Sequence, residues 1–356
     1  MLDAVRTRLE RVVVPPLGKS LVALGALRDA EVVEANGRRV LRVDLFFEGV
    51  VKAQEARLLM VIYKALEHLE GVDEVEVVVN GKPAARPMRR APVSIPGVRH
   101  VVAVASGKGG VGKSTVAVNL AVALARRGAP VGLLDADIYG PNVPTMLGLP
   151  AGAKAEMARG RLAPLVAHGV KTLSVGLLGV ASDAALVWRG PLLTKLVHQL
   201  LFQADWAPLD VLVVDLPPGT GDVALTLVQA APLSGAVLVA TPQRVALEDA
   251  LRAHTMLRDA GVPVLGLVEN MAYHTCAGCG READLFGRGG ARRAAEAHGL
   301  PLLAELPLVE AIRAGSDEGR PAALDPELAS PFEALAARVA ESLARLRQGD
   351  DGAGGA

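Results

Sequence analysis

The sequence has few cysteines, few aromatic residues and no excess of either charge. Cys276 and Cys279 are the only cysteines among 356 residues, which excludes a disulfide-rich secreted domain. Lysine plus arginine equals aspartate plus glutamate, at 38 each, so the overall charge offers no broad surface for nucleic acid or anionic lipid. Aromatic residues make up 3% and hydrophobic residues 51%, which predicts a core of alanine, valine and leucine.

Long hydrophobic runs are also missing. The longest uncharged run, residues 223–243, is interrupted by Gln229, Pro232, Ser234 and Gly235, which favours a buried helix, a turn and a strand over a membrane span. The first residues, MLDAVRTRLERVVVPP, carry frequent charges and lack the apolar stretch of a signal peptide. We therefore expect a soluble, cytoplasmic protein with reduced thiols and with neither a membrane nor nucleic acid as partner.

Composition divides the chain near residue 90. Residues 1–82 predict a small α/β domain that begins with a helix at about Leu2 and contains a tight hairpin at Asn36-Gly37. Residues 83–98 are rich in proline and arginine and predict a linker.

The rest of the chain predicts a larger α/β domain at residues 99–348, followed by a disordered tail at 349–356. Short apolar runs recur between helical segments, namely HVVAVAS, PVGLLD, VLVVD, AVLVAT, PVLGLVE and LLAEL. Strands that alternate with helices indicate a mostly parallel sheet flanked by helices on both faces.

The segment SGKGGVGKST, residues 106–115, has the spacing of a phosphate-binding loop. It lies between the apolar run VVAVA and the helical pattern VAVNLAVALARR, as such a loop requires. Its glycines let backbone N–H groups face an anion at a helix N-terminus. Lys113 is placed to neutralise phosphates, and Ser114 supplies a hydroxyl for Mg²⁺. We therefore predict a site for ATP with Mg²⁺.

Acidic residues follow two other apolar runs. Asp135 and Asp137, in LLDADIYGPNVP, are placed for one carboxylate to orient water and the other to support the metal; helix capping is the alternative. Asp215, in VLVVDLPPGTGD, ends a predicted strand as a Walker B carboxylate near Mg²⁺ does, and residues 219–221 predict a mobile loop that senses the γ-phosphate. Ligands of open α/β sheets bind at this end of the strands.

The two cysteines form a C-x-x-C pair in ENMAYHTCAGCGREADLFGRGG, residues 269–290. Such a pair is half of a metal site, a redox disulfide or an incidental pair, and its spacing alone does not decide. A tetrahedral sulfur site or an iron–sulfur cluster needs about four ligands, and two copies of the pair across a two-fold axis supply them. His274 is a candidate for a local third ligand.

The loop KGGVGKST resembles the deviant Walker A loop of the ParA/MinD-like ATPases. The resemblance implies a P-loop NTPase fold, and it implies that Lys108 reaches the partner's phosphates across a nucleotide-sandwich dimer; a solvated loop lysine is the alternative. Asn270 resembles the base-contacting asparagine of that family. Catalytic roles are thus predicted for Lys108, Lys113 and Asp137, and magnesium contacts for Ser114, Asp135 and Asp215. Nucleotide contacts are predicted for Gly107, Gly109, Gly110, Val111, Gly112, Lys113, Ser114, Thr115 and Asn270.

The ordered set of motifs resembles the Mrp/ApbC-type iron–sulfur cluster carrier ATPases. The motifs are SGKGGVGKST, DADIYGPNVPTMLG, WRGP, DLPPGTGD, ENMAYHTCAGCG and LFGRGGA, and the similarity covers nearly the whole chain. It implies that Cys276 and Cys279 hold a transferable cluster, of the 4Fe-4S type, between the subunits of a homodimer. It also implies that ATP hydrolysis gates transfer from a cluster donor to apoproteins.

The N-terminal segment resembles the MIP18-like domain that is often fused to such carriers, through PPLGKSLVALG at residues 15–25. It lacks the acidic residues often found where Val14 and Pro16 stand, and the cysteine expected near EGVVKAQ at 48–54. Ala277 stands where a proline is common in the thiol pair. Two rival classes stay open: a ParA/MinD-like positioning ATPase, and an electron-transfer ATPase related to the nitrogenase iron protein.

Overall fold

The chain forms two compact units, Met1–Pro92 and Val93–Ala356. The computed structural model describes residues 2–14, 19–35, 38–47, 58–59, 61–63, 65–66, 69, 71–84, 94–179, 190–276 and 278–351. Several predicted features lie outside these residues: the Asn36-Gly37 turn, the EGVVKAQ segment, the first half of the WRGP motif, the middle of the linker, Ala277 and the last five residues.

The N-terminal unit is a small α/β domain, as its alternating pattern predicts. Helix α1 spans Leu2–Leu9, and helical residues recur at 58–59, 61–63 and 65–66. The strands are β1 (Val13–Val14), β2 (Lys19–Ser20), β3 (Leu27–Ala35), β4 (Arg38–Leu45), β5 (Glu74–Val79) and β6 (Lys82–Ala84). The strands β3 to β6 form one sheet in chain order, with β4 and β5 parallel and the other pairs antiparallel. Buried Leu9, Leu41, Ile62 and Leu66 belong to its core.

The linker between the units is shorter than the predicted span 83–98. At its start, residues 83 and 84 pair with β5 as part of β6. At its end, Ile95 is 2% exposed in the core of the second unit, and the next strand begins at Val98. The sequence misplaced both ends of the linker because its proline- and arginine-rich composition gives no sign that residues 83 and 84 pair with a strand or that Ile95 is buried.

The second unit contains an eight-stranded sheet with the order β11-β12-β8-β13-β7-β14-β15-β18. All neighbours are parallel except the edge pair β11 and β12. Its strands are β7 (Val98–Ser106), β8 (Val131–Asp135), β11 (Leu165–Ala167), β12 (Val170–Ser174), β13 (Leu209–Asp215), β14 (Gly235–Ala240), β15 (Val264–Glu269) and β18 (Leu302–Glu305). The six apolar runs are confirmed as parallel strands, whereas β11 and β12 were not predicted.

Helices pack on both faces of this sheet, and two separate hydrophobic clusters line those faces. The helices are α2 (Lys113–Arg126), α3 (Val143–Met146), α4 (Gly190–Phe202), α5 (Asp222–Ala230), α6 (Arg244–Asp259), α7 (Gly290–His298), α8 (Glu310–Asp317) and α9 (Ser330–Asp351). Two 3₁₀ turns span Val175–Leu178 and Ala322–Leu324, and two small hairpins are formed by β9 (Met157–Ala158) with β10 (Arg161–Leu162) and β16 (His274–Thr275) with β17 (Glu282–Ala283).

The final helix continues into the span predicted as a disordered tail, because α9 ends at Asp351. In the part of the chain that the structure describes, no helix combines the length and the apolar character needed to cross a membrane. The carboxyl ends of β7, β8, β13 and β15 are followed by the motifs that the sequence analysis selected, so the sheet gathers those motifs at one edge.

Candidate active site and thiol pair

The predicted phosphate-binding loop connects β7 to α2, as its flanking patterns indicate. Gly110 and Gly112 have φ angles of 78° and 77°, a left-handed conformation that glycine adopts without strain. Gly107 is required for another reason, since a Cβ there would lie 2.0 Å from the backbone carbonyl carbon of Asp249. The Ser106 hydroxyl donates to the carbonyl oxygen of Lys108 at 2.9 Å and fixes the start of the loop. The sequence thus folds into a tight turn that favours glycine at positions 107, 110 and 112.

The N-terminus of α2 meets this loop without a side-chain cap. Gly112 precedes the helix and has no side chain to accept a hydrogen bond from the first turn. Uncapped N–H groups and the helix dipole both favour an anion at this position. The geometry fits the phosphates of a nucleotide.

Lys113 and Asp215 form a buried ion pair beside the loop. The ammonium Nζ lies 2.5 Å from Oδ1 of Asp215, and the two side chains are 6% and 0% exposed. Nζ also lies 3.4 Å from the hydroxyl of Ser114. Burial raises the pKa of Asp215, and the Lys113 ammonium opposes that shift. The structure therefore brings together three residues that the sequence analysis assigned to phosphate and magnesium.

Asp135 lies opposite Asp215 on the neighbouring strand, and Ser174 lies opposite Asp135 on the next. Oδ2 of Asp135 accepts hydrogen bonds from the Ser174 hydroxyl at 2.9 Å and from the Val143 N–H at 3.3 Å. Oδ1 accepts from the N–H of Asp137 at 3.1 Å. Burial, followed by the nearby charge of Asp215, raises the pKa of Asp135 to about 7. Two buried carboxylates that repel each other form an electrostatically favourable site for a cation.

One oxygen of these two carboxylates has no hydrogen-bond partner among the residues that the structure describes. Oδ2 of Asp215 is buried and accepts no hydrogen bond from any described residue, which is uncommon for a buried carboxylate. Hard oxygen ligands of this kind suit Mg²⁺, which keeps several waters and phosphate oxygens in its shell. No group of three or more His, Cys, Asp or Glu side chains suited to a metal occurs among the described residues. Ser114, Asp135 and Asp215 therefore fit Mg²⁺ held jointly with a nucleotide.

The remaining predicted catalytic residues flank this centre. Asp137 is half-buried, and its Oδ1 accepts the N–H of Tyr139 at 3.3 Å, so it caps its own turn. Lys108 is half-buried, and none of the described carboxylates lies within ion-pair distance of it. The Gly219 N–H donates to the Ser106 carbonyl oxygen at 2.9 Å, which brings the predicted sensor loop against the phosphate loop. The roles of Asp137 and Lys108 stay predictions.

Asn270 contacts the phosphate loop through its side chain. Its Nδ2 donates to the carbonyl oxygen of Val111 at 2.8 Å, and the residue is 8% exposed. A Cβ on Gly112 would lie 2.2 Å from the same Nδ2. The predicted base contact of Asn270 stays a prediction, and the hydrogen bond to the loop is a feature that the sequence analysis did not foresee.

Glu269, directly before Asn270, is a buried carboxylate that the sequence analysis missed. It is 0% exposed, and its two oxygens accept the backbone N–H groups of Gly289 at 3.2 Å and Ala291 at 2.5 Å. These N–H groups belong to the N-terminus of α7, where a negative charge is favourable. An acidic residue at the end of an otherwise apolar run, PVLGLVE, was the available signal.

The two cysteines lie at the tip of the small hairpin of β16 and β17. The Cys276 N–H donates to the Arg281 carbonyl oxygen at 3.0 Å, and the Gly280 N–H donates to the Cys276 carbonyl oxygen at 2.8 Å. Cys276 is half-buried and Cys279 is exposed. Backbone N–H groups of Gly278 and Cys279, and then the Cys279 side chain, lower the pKa of the Cys276 thiol by hydrogen bonding. The two thiols converge, and one is pre-disposed to the thiolate form that binds soft metals.

His274 does not form a three-ligand group with the thiols among the described residues. Its Nδ1 lies 2.9 Å from the carbonyl oxygen of Leu308, and the described residues include no metal-type group that joins it to the cysteines. The hairpin uses this imidazole to attach itself to the chain after β18. Cys276 and Cys279 therefore stay the predicted local ligands.

Comparison with known proteins identifies the family. The model of the ParA family of NUBPL iron-transfer P-loop NTPases matches residues 97–344. The chain is 44% identical over 351 residues to the iron-sulfur cluster carrier protein of Synechocystis sp., covering 96% of each chain. It is also 44% identical to the protein of the same name from Deinococcus radiodurans, covering 98% of this chain and 95% of that one. The relative of that name in Escherichia coli is 48% identical over 252 residues, 70% of this chain and 68% of its own.

Solved structures share the fold of the second unit. A nucleotide-binding protein from Archaeoglobus fulgidus, solved in complex with ADP, is 38% identical with a TM-score of 0.58, over 66% of this chain and 92% of its own. The cell division ATPase MinD of Pyrococcus furiosus is 27% identical with a TM-score of 0.51, over 68% and 98% of the two chains. The α/β MinD/ParA-like fold is thus confirmed, and with the family match and the curated relatives it shows that the chain belongs to the ParA-type P-loop NTPases of the Mrp/ApbC iron–sulfur cluster carrier family.

Proposed function

We propose that this protein carries an iron–sulfur cluster on Cys276 and Cys279 and transfers it to apoproteins in a cycle driven by ATP. The observation that carries the proposal is the convergence of the two thiols at an exposed hairpin tip, where backbone N–H groups favour the thiolate of Cys276. The names of the curated relatives, iron-sulfur cluster carrier proteins, support the same cargo.

The cluster is of the 4Fe-4S type and bridges two subunits of a homodimer. A 4Fe-4S cluster takes four thiolates, whereas one chain offers two. A two-fold axis near the hairpin tip places the second pair opposite the first and completes the ligand set. The exposure of Cys279 is consistent with a cluster that enters and leaves at the surface.

ATP binds at the phosphate loop with Mg²⁺, and its hydrolysis is coupled to transfer. The loop N–H groups and Lys113 hold the phosphates, while Ser114, Asp135 and Asp215 hold the ion. Mg²⁺, when bound there, would supply positive charge that offsets the negative charge of the phosphates. Asp137 orients the attacking water, and Lys108 extends toward the phosphates of the second subunit.

A transfer assay tests this function. The reconstituted protein is mixed anaerobically with an apo form of a 4Fe-4S dehydratase, and the recovery of dehydratase activity is followed with and without Mg-ATP. We expect recovery with the wild type, faster with Mg-ATP, and none with Cys279→Ser. Lys113→Met should transfer at the nucleotide-independent rate.

Two outcomes contradict the proposal. A wild-type protein that binds no iron would show that it carries no iron–sulfur cluster. A cluster that is reduced and re-oxidised repeatedly without leaving the protein, and that restores no dehydratase activity, assigns the chain to electron transfer instead.

A further inference from the structure

Two adjacent buried polar side chains at the end of β15 connect the phosphate loop to the thiol hairpin. Asn270 faces the loop, where its Nδ2 donates to the Val111 carbonyl oxygen at 2.8 Å. Its backbone N–H donates to the carbonyl oxygen of Ala240, at the end of β14, at 2.8 Å. Both bonds are within the core, so the position of Asn270 follows the position of the loop.

Glu269 makes the second contact of this connection, on the side of the thiol hairpin. Its carboxylate accepts two N–H groups at the N-terminus of α7, the helix that follows the thiol hairpin in the chain. A Cβ on Gly290 would lie 2.4 Å from the carbonyl oxygen of Pro242, so α7 is packed closely against the sheet end. The segment with the cysteines, residues 271–288, is therefore anchored at both ends by Glu269 and Asn270.

A short, hydrogen-bonded stretch of chain leads from Asn270 to Cys276. Met271 has a φ angle of 57°, a constrained left-handed turn for a side chain of this size. The Ala272 N–H donates to the carbonyl oxygen of Leu306 at 2.8 Å, and the Leu308 N–H donates to that of Tyr273 at 2.7 Å. Strand β16 follows directly, so only a short segment of chain separates Asn270 from Cys276.

We propose that Asn270 and Glu269 are positioning residues that make the reactivity of Cys276 and Cys279 depend on the state of the phosphate loop. The inference rests on the proposed nucleotide and thiol functions and names the residues that join them. A nucleotide that reorients the Val111 peptide changes one buried hydrogen bond, whose loss leaves a polar group unsatisfied. The change in this hydrogen bond shifts the preferred position of Asn270 and, through residues 271–275, that of the thiol hairpin.

Thiol alkylation in the metal-free protein tests the coupling without any cluster. The reduced full-length protein is treated with iodoacetamide, with and without saturating Mg-ATP, and modification of each cysteine is followed by mass spectrometry. We expect Mg-ATP to change the wild-type rate at Cys276 by about fivefold or more, the range of ordinary allosteric coupling. With Mg-ATP raised until calorimetry shows that each variant is saturated, Asn270→Ala should abolish this response and Glu269→Gln should reduce it.

Asn119→Ala is the matched control. Asn119 is also a buried asparagine, 0% exposed, whose Nδ2 donates to the Thr115 carbonyl oxygen and whose Oδ1 accepts the Ala323 N–H. It lies on α2, and neither of these hydrogen-bond partners belongs to the thiol hairpin. Asn119→Ala should keep the wild-type response to Mg-ATP, because it removes a comparable buried amide but leaves the contacts between the phosphate loop and the thiol hairpin in place.

Urea unfolding checks that each variant is folded, and Asn270→Ser replaces Asn270→Ala if the latter does not fold. An Asn270 variant that responds to Mg-ATP like the wild type overturns the inference. So does an equal loss of response in Asn119→Ala, which would indicate general destabilisation. A wild type whose alkylation ignores Mg-ATP also overturns it, while iron binding and transfer by that protein would leave the carrier function standing.

Discussion

The Lys113 ammonium lies 2.5 Å from Oδ1 of Asp215, and both groups are buried. This contact joins the phosphate loop at the end of β7 to the carboxyl end of the adjacent strand β13. A buried ion pair of this kind is costly to break, because the remaining charge loses its partner without regaining water. The pair therefore supports the loop as well as presenting a cation to phosphates.

Lys113→Met should destabilise the protein by about 3–5 kcal/mol at pH 7, since it leaves the Asp215 carboxylate buried and unpaired. ATP binding should weaken at least tenfold, which is about 1.4 kcal/mol. Urea unfolding and titration calorimetry measure the two effects. In the double variant Lys113→Met with Asp215→Asn, most of the stability should return while ATP binding stays weak. A single variant as stable as the wild type would contradict the buried pair.

Asp135 should make the metal-free protein less stable as the pH rises. Its pKa is raised to about 7 from the usual 3.8, so between these values the folded chain retains a proton that the unfolded chain has released. The free energy of unfolding should therefore fall across this window, by about 1.4 kcal/mol for each pKa unit of an isolated shift.

Asp135→Asn isolates this contribution because the amide does not titrate. We expect a flatter dependence of the free energy of unfolding on pH than in the wild type, measured by urea unfolding in EDTA at several pH values from 4 to 8. Parallel curves for the two proteins would show that Asp135 ionises normally.

The glycines of the phosphate loop should differ sharply in their tolerance of a methyl group. Gly107→Ala places a Cβ 2.0 Å from the Asp249 backbone and forces the loop away from α6. We expect a loss of about 1–3 kcal/mol in stability together with weakened nucleotide binding. Gly109→Ala is the matched control, since its Cβ meets nothing within 4 Å, and its stability should stay within about 0.5 kcal/mol of wild type. Equal effects of the two substitutions would contradict the loop geometry.

Lys108→Ala should separate binding from turnover. Its ammonium makes no ion pair with a described carboxylate, so stability and ATP affinity should stay near wild type. If Lys108 serves the second subunit, the rate of hydrolysis should fall by about 10³-fold or more, as for a cation supplied in trans to a phosphoryl group. Steady-state phosphate release and calorimetry provide the two readouts. Turnover close to wild type would leave Lys108 as a solvated loop lysine.

Much of the fold was accessible from the sequence because its local signals agree with one another. The apolar runs before Lys108, Asp135, Asp215 and Asn270 are buried parallel strands, and the phosphate loop lies between a strand and a helix as its glycines indicate. The edge strand β11 was missed because it has only 3 residues, and its neighbour β12 because its sequence, VKTLS, mixes polar and apolar residues. Its burial comes from pairing with β8, a long-range contact that no local pattern records.

The polar contacts of the site were less predictable. Single residues such as Asp135 and Asp215 were selected, but their opposition on neighbouring strands depends on the order of the sheet. Glu269 was overlooked because its partners, the N–H groups of Gly289 and Ala291, lie after the thiol hairpin. The contact of His274 was unpredictable for the same reason, since its partner Leu308 is remote in sequence.

The most direct test of the carrier function is the iron content of the protein after anaerobic reconstitution with iron and sulfide, read with visible absorption and oligomeric mass. We expect about two iron atoms per chain in a dimer, because one 4Fe-4S cluster shares four thiolates between two chains. Cys276→Ala should lose both the iron and the absorption. A wild type that binds no more iron than Cys276→Ala would contradict the carrier function.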